Sequence, residues 1–356
     1  MSEVRAKKAL GQHFLVDLNI ARKICDALSG GVRPEAGAET RAVAAGSADA
    51  DAEIRTRVAG YAGAGAEART MAVGSADAGA EARTKATGTA DADAETRRGV
   101  VASADARLAA DTTAAGAPAA AEEERGGAVP CDVLEVGCGM GVLTQFLLRR
   151  GDITTYGAEI DPESVGYLHA HFPEFAPRLI EGDFLKMNLR ERFPRGLKII
   201  GNFPYNISSQ IFFKVLEHRD LVPECVGMIQ KEVAVRIAEP PGSKEYGILS
   251  VLLQAWYDIE YLFTVNETVF NPPPKVKSAV IRLRRNSVGR LGCDEALFVK
   301  VVKASFGQRR KMIRNSLRAV FGDFGGAEHP FFTQRAEQLS VADFVQLTDW
   351  VAANRK

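Results

Sequence analysis

Cysteine is scarce in this sequence, and its spacing excludes the common cysteine-based sites. The five cysteines are scattered along 356 residues, and no two of them form a C-x-x-C pair. That pattern argues against a disulfide framework and against a zinc site, so we expect reduced thiols and no bound metal. The positions are Cys25, Cys131, Cys138, Cys225 and Cys293.

Long apolar runs and net charge are absent as well. No stretch approaches the roughly 18 consecutive apolar residues of a membrane helix, and the N-terminus lacks the apolar core of a signal peptide. The chain carries 45 basic and 45 acidic residues, so it is neither strongly cationic nor strongly anionic overall. We therefore expect a soluble cytoplasmic protein that does not bind membranes.

The balanced total conceals a difference between two parts of the chain. From residue 33 to residue 125 there are 11 basic and 16 acidic residues, which leaves 34 basic and 29 acidic residues in the remainder. The remainder is thus mildly basic, which is consistent with a polyanionic partner.

Residues 32–128 contain a tandem repeat with a period of 14 residues, which equals two heptads and suggests a coiled coil or a helical solenoid. Between residues 42 and 99, however, only six apolar side chains are larger than alanine, and they form no repeated stripe. So little apolar surface cannot offset the entropy of ordering the chain. We predict a disordered, low-complexity insertion, with a protein-binding tether as the functional alternative. The glutamates of the repeat are Glu39, Glu53, Glu67, Glu81 and Glu95.

The sequence on either side of this insertion predicts an α/β fold. Asp17 is placed to cap a first helix in which Ile20, Ile24 and Leu28 recur every four residues. From residue 129, short apolar strands alternate with helices, a pattern typical of a doubly wound parallel sheet. The predicted strands are residues 133–136, 154–160, 179–180, 197–201, 226–230, 257–265 and 279–283, and the helices are residues 142–150, 162–171 and 208–217.

Strand patterns stop near Asp294, and helical patterns follow. They predict a small all-α C-terminal domain. The predicted helices are residues 295–306, 309–321, 332–339 and 341–353, and the predicted domain boundaries are 1–31, 32–128, 129–288 and 289–356.

A glycine-rich turn follows the first predicted strand after the insertion. Residues 135–141 read Glu-Val-Gly-Cys-Gly-Met-Gly. Glycines such as Gly137 allow a tight strand-to-helix turn and let the backbone approach a ligand closely. Glu159 ends the next strand, where its carboxylate can accept both hydroxyls of a ribose. These two features fit NAD as well as S-adenosylmethionine.

Three further features favour S-adenosylmethionine over NAD. Glu135 precedes the first glycine, where it would repel a pyrophosphate but can hold an ammonium group through water. The glycine spacing is G-x-G-x-G and not G-x-G-x-x-G. Asp183 ends the third strand, where it can accept from an adenine amino group. Because ligands bind at the carboxyl ends of parallel strands, we expect these acids to share one site.

Residues 201–205, Gly-Asn-Phe-Pro-Tyr, follow the next predicted strand and suit methyl transfer to an exocyclic amine of a base. The Asn202 side-chain oxygen and the Phe203 carbonyl can accept the two N–H bonds of such an amine. Tyr205 can stack on the base, which is worth roughly 1–3 kcal/mol, and Pro204 stiffens the turn. A turn without a function is the alternative, since Asn and Pro are common at strand ends.

Together with residues 11–15, 230–233, 271–276 and 306–317, these motifs resemble the small-subunit ribosomal RNA adenine N6,N6-dimethyltransferases. The resemblance covers residues 1–31 and 129–356. It implies a Rossmann-like class I methyltransferase that transfers methyl groups from S-adenosylmethionine to two adjacent adenines near the 3′ end of 16S rRNA. It also implies a monomeric cytoplasmic enzyme that acts on an immature 30S particle.

The resemblance assigns roles to particular residues. Asn202, Phe203 and Tyr205 would present a flipped adenine, and Phe270 is either a second aromatic wall or the anchor of a rigid proline-rich loop. Two positions depart from the family pattern: Phe203 replaces the usual leucine, and His13 stands where asparagine is also found. The implied cofactor-binding residues are His13, Leu15, Gly137, Glu159, Asp183 and Asn202.

Basic residues are concentrated in the predicted helical domain, where no acidic residue occurs between Glu295 and Asp323. Charges of one sign repel each other unless a polyanion meets them, so this segment favours contact with rRNA. A solvated helix face is the alternative. The candidate RNA contacts are Arg309, Arg310, Lys311 and Arg314, and the same run contains Lys300, Lys303 and Arg318.

Three other functions remain open from the residues alone. A sister class with the same site methylates large-subunit rRNA and confers macrolide resistance, but residues 271–276 and 306–317 favour the small-subunit class. A DNA adenine methyltransferase would need a domain that reads base sequence, and no segment looks like one. A ribosome-assembly factor with secondary catalytic activity would keep the same site.

Overall fold

Seven strands form the central sheet of the computed structural model, which describes residues 4, 6–7, 10–30 and 130–355. These described residues belong to one compact unit. The strands among the described residues are β1 (Phe14–Leu15), β2 (Cys131–Val136), β3 (Ile153–Glu159), β4 (Leu179–Glu181), β5 (Lys198–Asn202), β6 (Glu224–Gln230), β7 (Tyr257–Val265), β8 (Phe270–Asn271) and β9 (Ser278–Arg285). Their order across the central sheet is β4-β3-β2-β5-β6-β9-β7.

The sheet confirms the predicted α/β, Rossmann-like fold with one correction. β4, β3, β2, β5 and β6 pair in parallel, whereas β9 is antiparallel to both β6 and β7. The prediction of a parallel sheet missed this reversal because no helix separates β7 from β9. The proline-rich loop between those strands is too short for the crossover that parallel neighbours require.

Ten α-helices accompany the sheet in the described part of the chain. The structure shortens two predicted helices, since the helix expected from residue 142 spans only Thr144–Leu147 and the one expected from residue 309 begins at Ile313. It replaces the helix predicted at residues 332–339 with two 3₁₀ turns. The helices are α1 (Leu18–Ala27), α2 (Thr144–Leu147), α3 (Pro162–His171), α4 (Leu189–Arg192), α5 (Ser208–Glu217), α6 (Lys231–Ala238), α7 (Ile248–Gln254), α8 (Glu295–Gly307), α9 (Ile313–Phe321) and α10 (Val341–Asn354).

One apolar cluster joins the sheet to the C-terminal helices. It runs from the β2 residue Leu134 through α7 and α8 to Phe344 in α10. Aromatic pairs mark the junction: the rings of Trp256 and Phe298 meet edge to face with centroids 6.1 Å apart. The C-terminal helices are therefore fixed against the α/β core by shared burial.

No helix among the described residues is long and apolar enough to cross a membrane. All five cysteines lie in the described part of the chain and are free thiols, four of them buried.

A group of basic side chains holds the end of α1, where the chain enters the insertion. The last carbonyls of a helix have no partner within it and attract cations. Arg150 donates to the carbonyls of Cys25 and Leu28, Arg282 to that of Ala27, and Lys198 to those of Ser29 and Gly30, at 2.9–3.1 Å.

This α1 clamp, formed by Arg150, Lys198 and Arg282, is itself anchored by a buried acid. Glu224 is 2% exposed and lies 3.0 Å from the Lys198 ammonium group. Lys198 and Glu224 begin β5 and β6, so the clamp lies at the edge of the sheet where the parallel strands start. The edge where those strands end is on the opposite side.

The segments on either side of the insertion lie close together. A Cβ placed on Gly30 would be 3.2 Å from a carboxylate oxygen of Asp152. The next residue, Ile153, pairs with Cys131, where the chain re-enters the sheet. The predicted disordered insertion, residues 32–128, lies outside the described residues.

We expect that deleting residues 34–128 and joining the ends with a short linker preserves folding and cofactor binding. The reason is that both attachment points are held by the α1 clamp and by β2. Calorimetry should show an unfolding midpoint within about 3 °C of the full chain, the shift that ~1 kcal/mol causes in a domain of this size. Loss of cofactor binding in the shortened protein would show that the repeat is structural.

Candidate active site

A pocket opens at the edge where β2, β3, β4 and β5 end, and it collects residues from five separate sequence motifs. Seven of the residues proposed from the sequence line it: His13, Gly137, Glu159, Asp183, Asn202, Phe203 and Tyr205. Seven other lining residues were not proposed from the sequence: Gln12 and Ile160 lie within quoted motifs, whereas Leu10, Phe184, Leu185, Asn206 and Ile207 carry no motif of their own.

The glycine-rich turn forms one wall of this pocket. Gly137, Gly139 and Gly141 have φ values of 76°, 53° and 75°, a region that other residues rarely adopt. A Cβ on Gly141 would lie 2.4 Å from the Phe172 ring. On Gly137 it would have its nearest neighbours at 3.9 Å, the Asn202 carbonyl and the Pro204 ring. That is ordinary van der Waals contact with the β5 turn, so glycine at this position is required by its positive φ and not by a steric clash.

Glu159 is held rigidly at the end of β3. Its carboxylate accepts the backbone N–H groups of Gly139, Ile160 and Asp161, each at 2.8 Å. Burial raises the pKa of this carboxyl above its usual value. A carboxylate fixed in this way retains lone pairs for further donors such as ligand hydroxyls.

Glu135 lies beneath the pocket and is not among its lining residues. Its carboxylate is 1% exposed and accepts the Thr144 hydroxyl at 2.6 Å. Burial raises the pKa of Glu135 to about 8. Any contact between this acid and a ligand ammonium group therefore needs an intervening water, as the sequence analysis assumed.

Asp183 follows β4, where its side chain caps a 3₁₀ turn. One carboxylate oxygen accepts the backbone N–H of Leu185 at 2.9 Å. The other lies 4.0 Å from the Lys186 ammonium group, a distance that leaves it able to accept another donor at the pocket. No group of three or more potential metal ligands occurs among the described residues.

The amide of Asn202 is oriented by the N-terminal segment. Its Nδ2 group donates to the His13 carbonyl at 2.9 Å. With the nitrogen committed to that carbonyl, the side-chain oxygen is left as an acceptor in the pocket that Asn202 lines. An acceptor is what the two N–H bonds of a base amine require.

The Phe203 ring occupies a glycine socket formed by Gly201 and Gly227, which pair across β5 and β6. A Cβ on Gly227 would lie 2.4 Å from the ring, and one on Gly201 would lie 2.8 Å from it. The ring is 1% exposed, and the Phe203 N–H donates to the Met228 carbonyl at 3.0 Å. The larger side chain at this position therefore fits because both strands carry glycine beneath it.

Tyr205 and His13 form an aromatic corner at the pocket, with ring centroids 5.3 Å apart. The Tyr205 hydroxyl bonds to the Ser278 hydroxyl at 2.5 Å, and burial raises the pKa of this tyrosine. The His13 Nδ1 atom lies 2.9 Å from the Pro272 carbonyl. The segment from Pro272 to Ser278 thus fixes both rings, and no short-range sequence signal pointed to these contacts.

Leu15 and Phe270 are the two proposed pocket residues that the structure places outside the lining. They pair across the two-stranded sheet of β1 and β8, and both belong to a buried apolar cluster. Leu15 is 2% exposed and Phe270 is 4% exposed. This burial supports the anchoring role of Phe270 over that of an aromatic wall. Leu15 lies in β1, the strand that begins directly after His13.

The proposed RNA-contacting cations lie in and beside the turn between α8 and α9. Arg309, Arg310 and Lys311 are exposed there, and Arg309 also donates to the Tyr246 carbonyl at 3.2 Å. Arg314 forms an ion pair with Glu328. Glu328 lies beyond the acid-free segment from which the RNA contacts were predicted.

The donors and acceptors of the pocket fit S-adenosylmethionine. Glu159 can accept ribose hydroxyls, Asp183 can accept an adenine amino group, and Gly137 lines the same pocket. Two buried acids, Glu135 and Glu159, stand on either side of the glycine-rich turn, where they would disfavour a pyrophosphate. The site therefore favours a cofactor without phosphates.

Comparison with known proteins agrees with this geometry. The family model described as ribosomal RNA adenine dimethylase matches residues 130–353. A protein from Parabacteroides distasonis named ribosomal RNA small subunit methyltransferase A is 61% identical over 218 residues, which cover 61% of this chain and 81% of that protein. Its namesake from Porphyromonas gingivalis is 59% identical over 220 residues, which cover 61% of this chain and 84% of that protein.

A solved structure is similar as well. The crystal structure of a dimethyladenosine transferase from Plasmodium falciparum aligns with a TM-score of 0.53 and 26% identity, over 63% of this chain and 90% of that one. Because the family model matches more than half of the sequence and the relatives are covered over most of their length, the chain belongs to the ribosomal RNA adenine dimethylase family.

Proposed function

We propose that this chain is a methyltransferase that uses S-adenosylmethionine to dimethylate N6 of adenine in ribosomal RNA. The observation that carries the proposal is the orientation of Asn202. Its Nδ2 group is bound to the His13 carbonyl, so its oxygen is the atom that can accept from a base amine. Family membership agrees with this chemistry.

The cofactor is held by residues at the ends of β2, β3 and β4. Glu159 binds its ribose hydroxyls, Asp183 its adenine amino group, and the backbone at Gly137 allows its close approach. Glu135 would reach the ammonium end through water, and the bound cation would favour the ionised form of this buried carboxyl. When bound, S-adenosylmethionine supplies an electrophilic methyl group on a sulfonium centre.

The target amine is a poor nucleophile because its lone pair is delocalised into the adenine ring. Asn202 Oδ1 and the Phe203 carbonyl accept its two N–H bonds and thereby hold the nitrogen in position. Tyr205, whose hydroxyl is hydrogen-bonded to that of Ser278, stacks on the flipped-out base. Such a site works mainly by positioning and electrostatics, so it needs no strong base and forms no covalent enzyme intermediate.

We also propose the finer identity of the substrate. The substrate is two adjacent adenines near the 3′ end of 16S rRNA within an immature 30S particle. The support for this choice is the 61% identity to a protein named ribosomal RNA small subunit methyltransferase A. The enzyme acts as a monomer in the cytoplasm. The second methylation requires room for one methyl group already present on N6.

The direct test is to incubate the purified protein with labelled cofactor and undermethylated small subunits, and then to map dimethyladenosine by nuclease digestion. We expect label at two adjacent adenines near the 3′ end. Label in large-subunit RNA or in DNA instead would overturn the choice of substrate.

A further inference from the structure

Three exposed lysines lie on two segments that adjoin the aromatic corner of the pocket. Lys231 follows β6 directly, and Lys275 and Lys277 precede β9. The backbone brings the two segments together, because the Lys231 N–H donates to the Lys277 carbonyl at 2.9 Å and Gln230 pairs with Ser278. We call Lys231, Lys275 and Lys277 the rim lysines.

The rim lysines are tied to the pocket through two contacts already described. Ser278, next to Lys277, bonds to the Tyr205 hydroxyl, and Pro272, three residues before Lys275, bonds to the His13 ring. Two of the cationic side chains, those of Lys275 and Lys277, therefore stand on the loop that positions the two rings, and Lys231 is hydrogen-bonded to this loop through its backbone. A base stacked on Tyr205 would have its own phosphate backbone beside this loop.

The charges around the rim lysines leave them available to an anion. The nearby acid Glu232 is paired with Arg236 at 3.2 Å, one helical turn further along α6. Among the described residues, none of the three rim lysines is in an ion pair. Lys231 also begins α6, whose N-terminal N–H groups add a partial positive charge.

We propose that the rim lysines bind the RNA phosphates that flank the target adenine. The inference rests on the proposed function and adds a phosphate-binding surface separate from the exposed cations between α8 and α9. A lysine ammonium group is a point charge that accommodates phosphates in several positions. That property suits a substrate presented twice, first unmethylated and then monomethylated, with a slightly shifted base.

The test compares a triple variant with a matched control. Lys231→Ala, Lys275→Ala and Lys277→Ala together remove three positive charges from the rim. Arg192→Ala, Arg195→Ala and Arg290→Ala together remove three exposed charges outside it, around the start of β5 and after the end of β9. Affinity for undermethylated small subunits is measured at several salt concentrations, and cofactor affinity serves as the folding control.

We expect the rim variant to lower the slope of log K against log salt by about 2, since each contact with single-stranded phosphate contributes about 0.7. KM for the particle should rise roughly tenfold or more, while kcat at saturation changes little. The control variant should keep the slope of the unmodified protein.

An unchanged slope in the rim variant, or an equal loss in the control variant, would overturn the proposal. The outcome is separable from that of the proposed function. If the unmodified protein transfers no methyl groups to the particle, the proposed function is wrong, yet the salt slopes still report whether the rim lysines contact RNA.

Discussion

Replacing Asn202 with alanine is expected to abolish methyl transfer while leaving cofactor binding measurable. The substitution removes the acceptor that holds the target amine and the donor that binds the His13 carbonyl. Loss of one positioned hydrogen-bonding group in an active site typically lowers kcat by about 10²–10³-fold. Single-turnover methylation gives the rate, and titration calorimetry gives the affinity for the cofactor.

Two further variants separate chemistry from local folding. Asn206→Ala removes an amide of the same kind from the same pocket lining and should keep most of the activity. Asn202→Asp keeps an acceptor oxygen but loses the Nδ2 donor, so its activity should fall between that of the native enzyme and that of Asn202→Ala. Near-native turnover by Asn202→Ala would disprove the assigned role.

Gly227→Ala is expected to impair both folding and catalysis. The new methyl group would stand 2.4 Å from the Phe203 ring, so the ring has to leave the glycine socket. Overpacking of a core position typically costs about 1–3 kcal/mol. Because the Phe203 carbonyl and Asn202 move with the ring, kcat should fall roughly 10²-fold. Urea unfolding and steady-state kinetics measure the two effects.

A second substitution should reverse the effect of the first. Phe203→Leu shortens the side chain, so the double variant Phe203→Leu with Gly227→Ala should regain much of the lost stability and kcat. Gly166→Ala provides the control, since a Cβ there meets nothing within 4 Å. Additive losses in the double variant would show that the glycine socket does not set the position of the β5 turn.

The strand-end residues of the site were accessible to sequence reasoning for a geometric reason. Glu159 and Asn202 end β3 and β5, and Asp183 lies two residues after β4; these three strands belong to the parallel part of the sheet, where strand ends lie along one edge. Their convergence on a pocket follows from topology alone. Alternation of strands and helices likewise sufficed to predict the α/β fold.

Contacts between distant segments were not accessible in this way. The bond between Tyr205 and Ser278 and the approach of Pro272 to His13 depend on β9 turning back between β6 and β7. No local pattern encodes that reversal. The burial of Leu15, which the resemblance assigned to the cofactor, likewise depends on its pairing with Phe270 in β8.

The α1 clamp has a consequence for how this sequence can change over generations. Repetitive coding sequence readily gains or loses whole units, and each unit here adds or removes 14 residues between Gly30 and Pro130. Such changes alter neither attachment point, because Arg150, Lys198 and Arg282 hold one end and β2 holds the other. Close relatives should therefore differ in repeat number while their methyl-transfer rates remain alike.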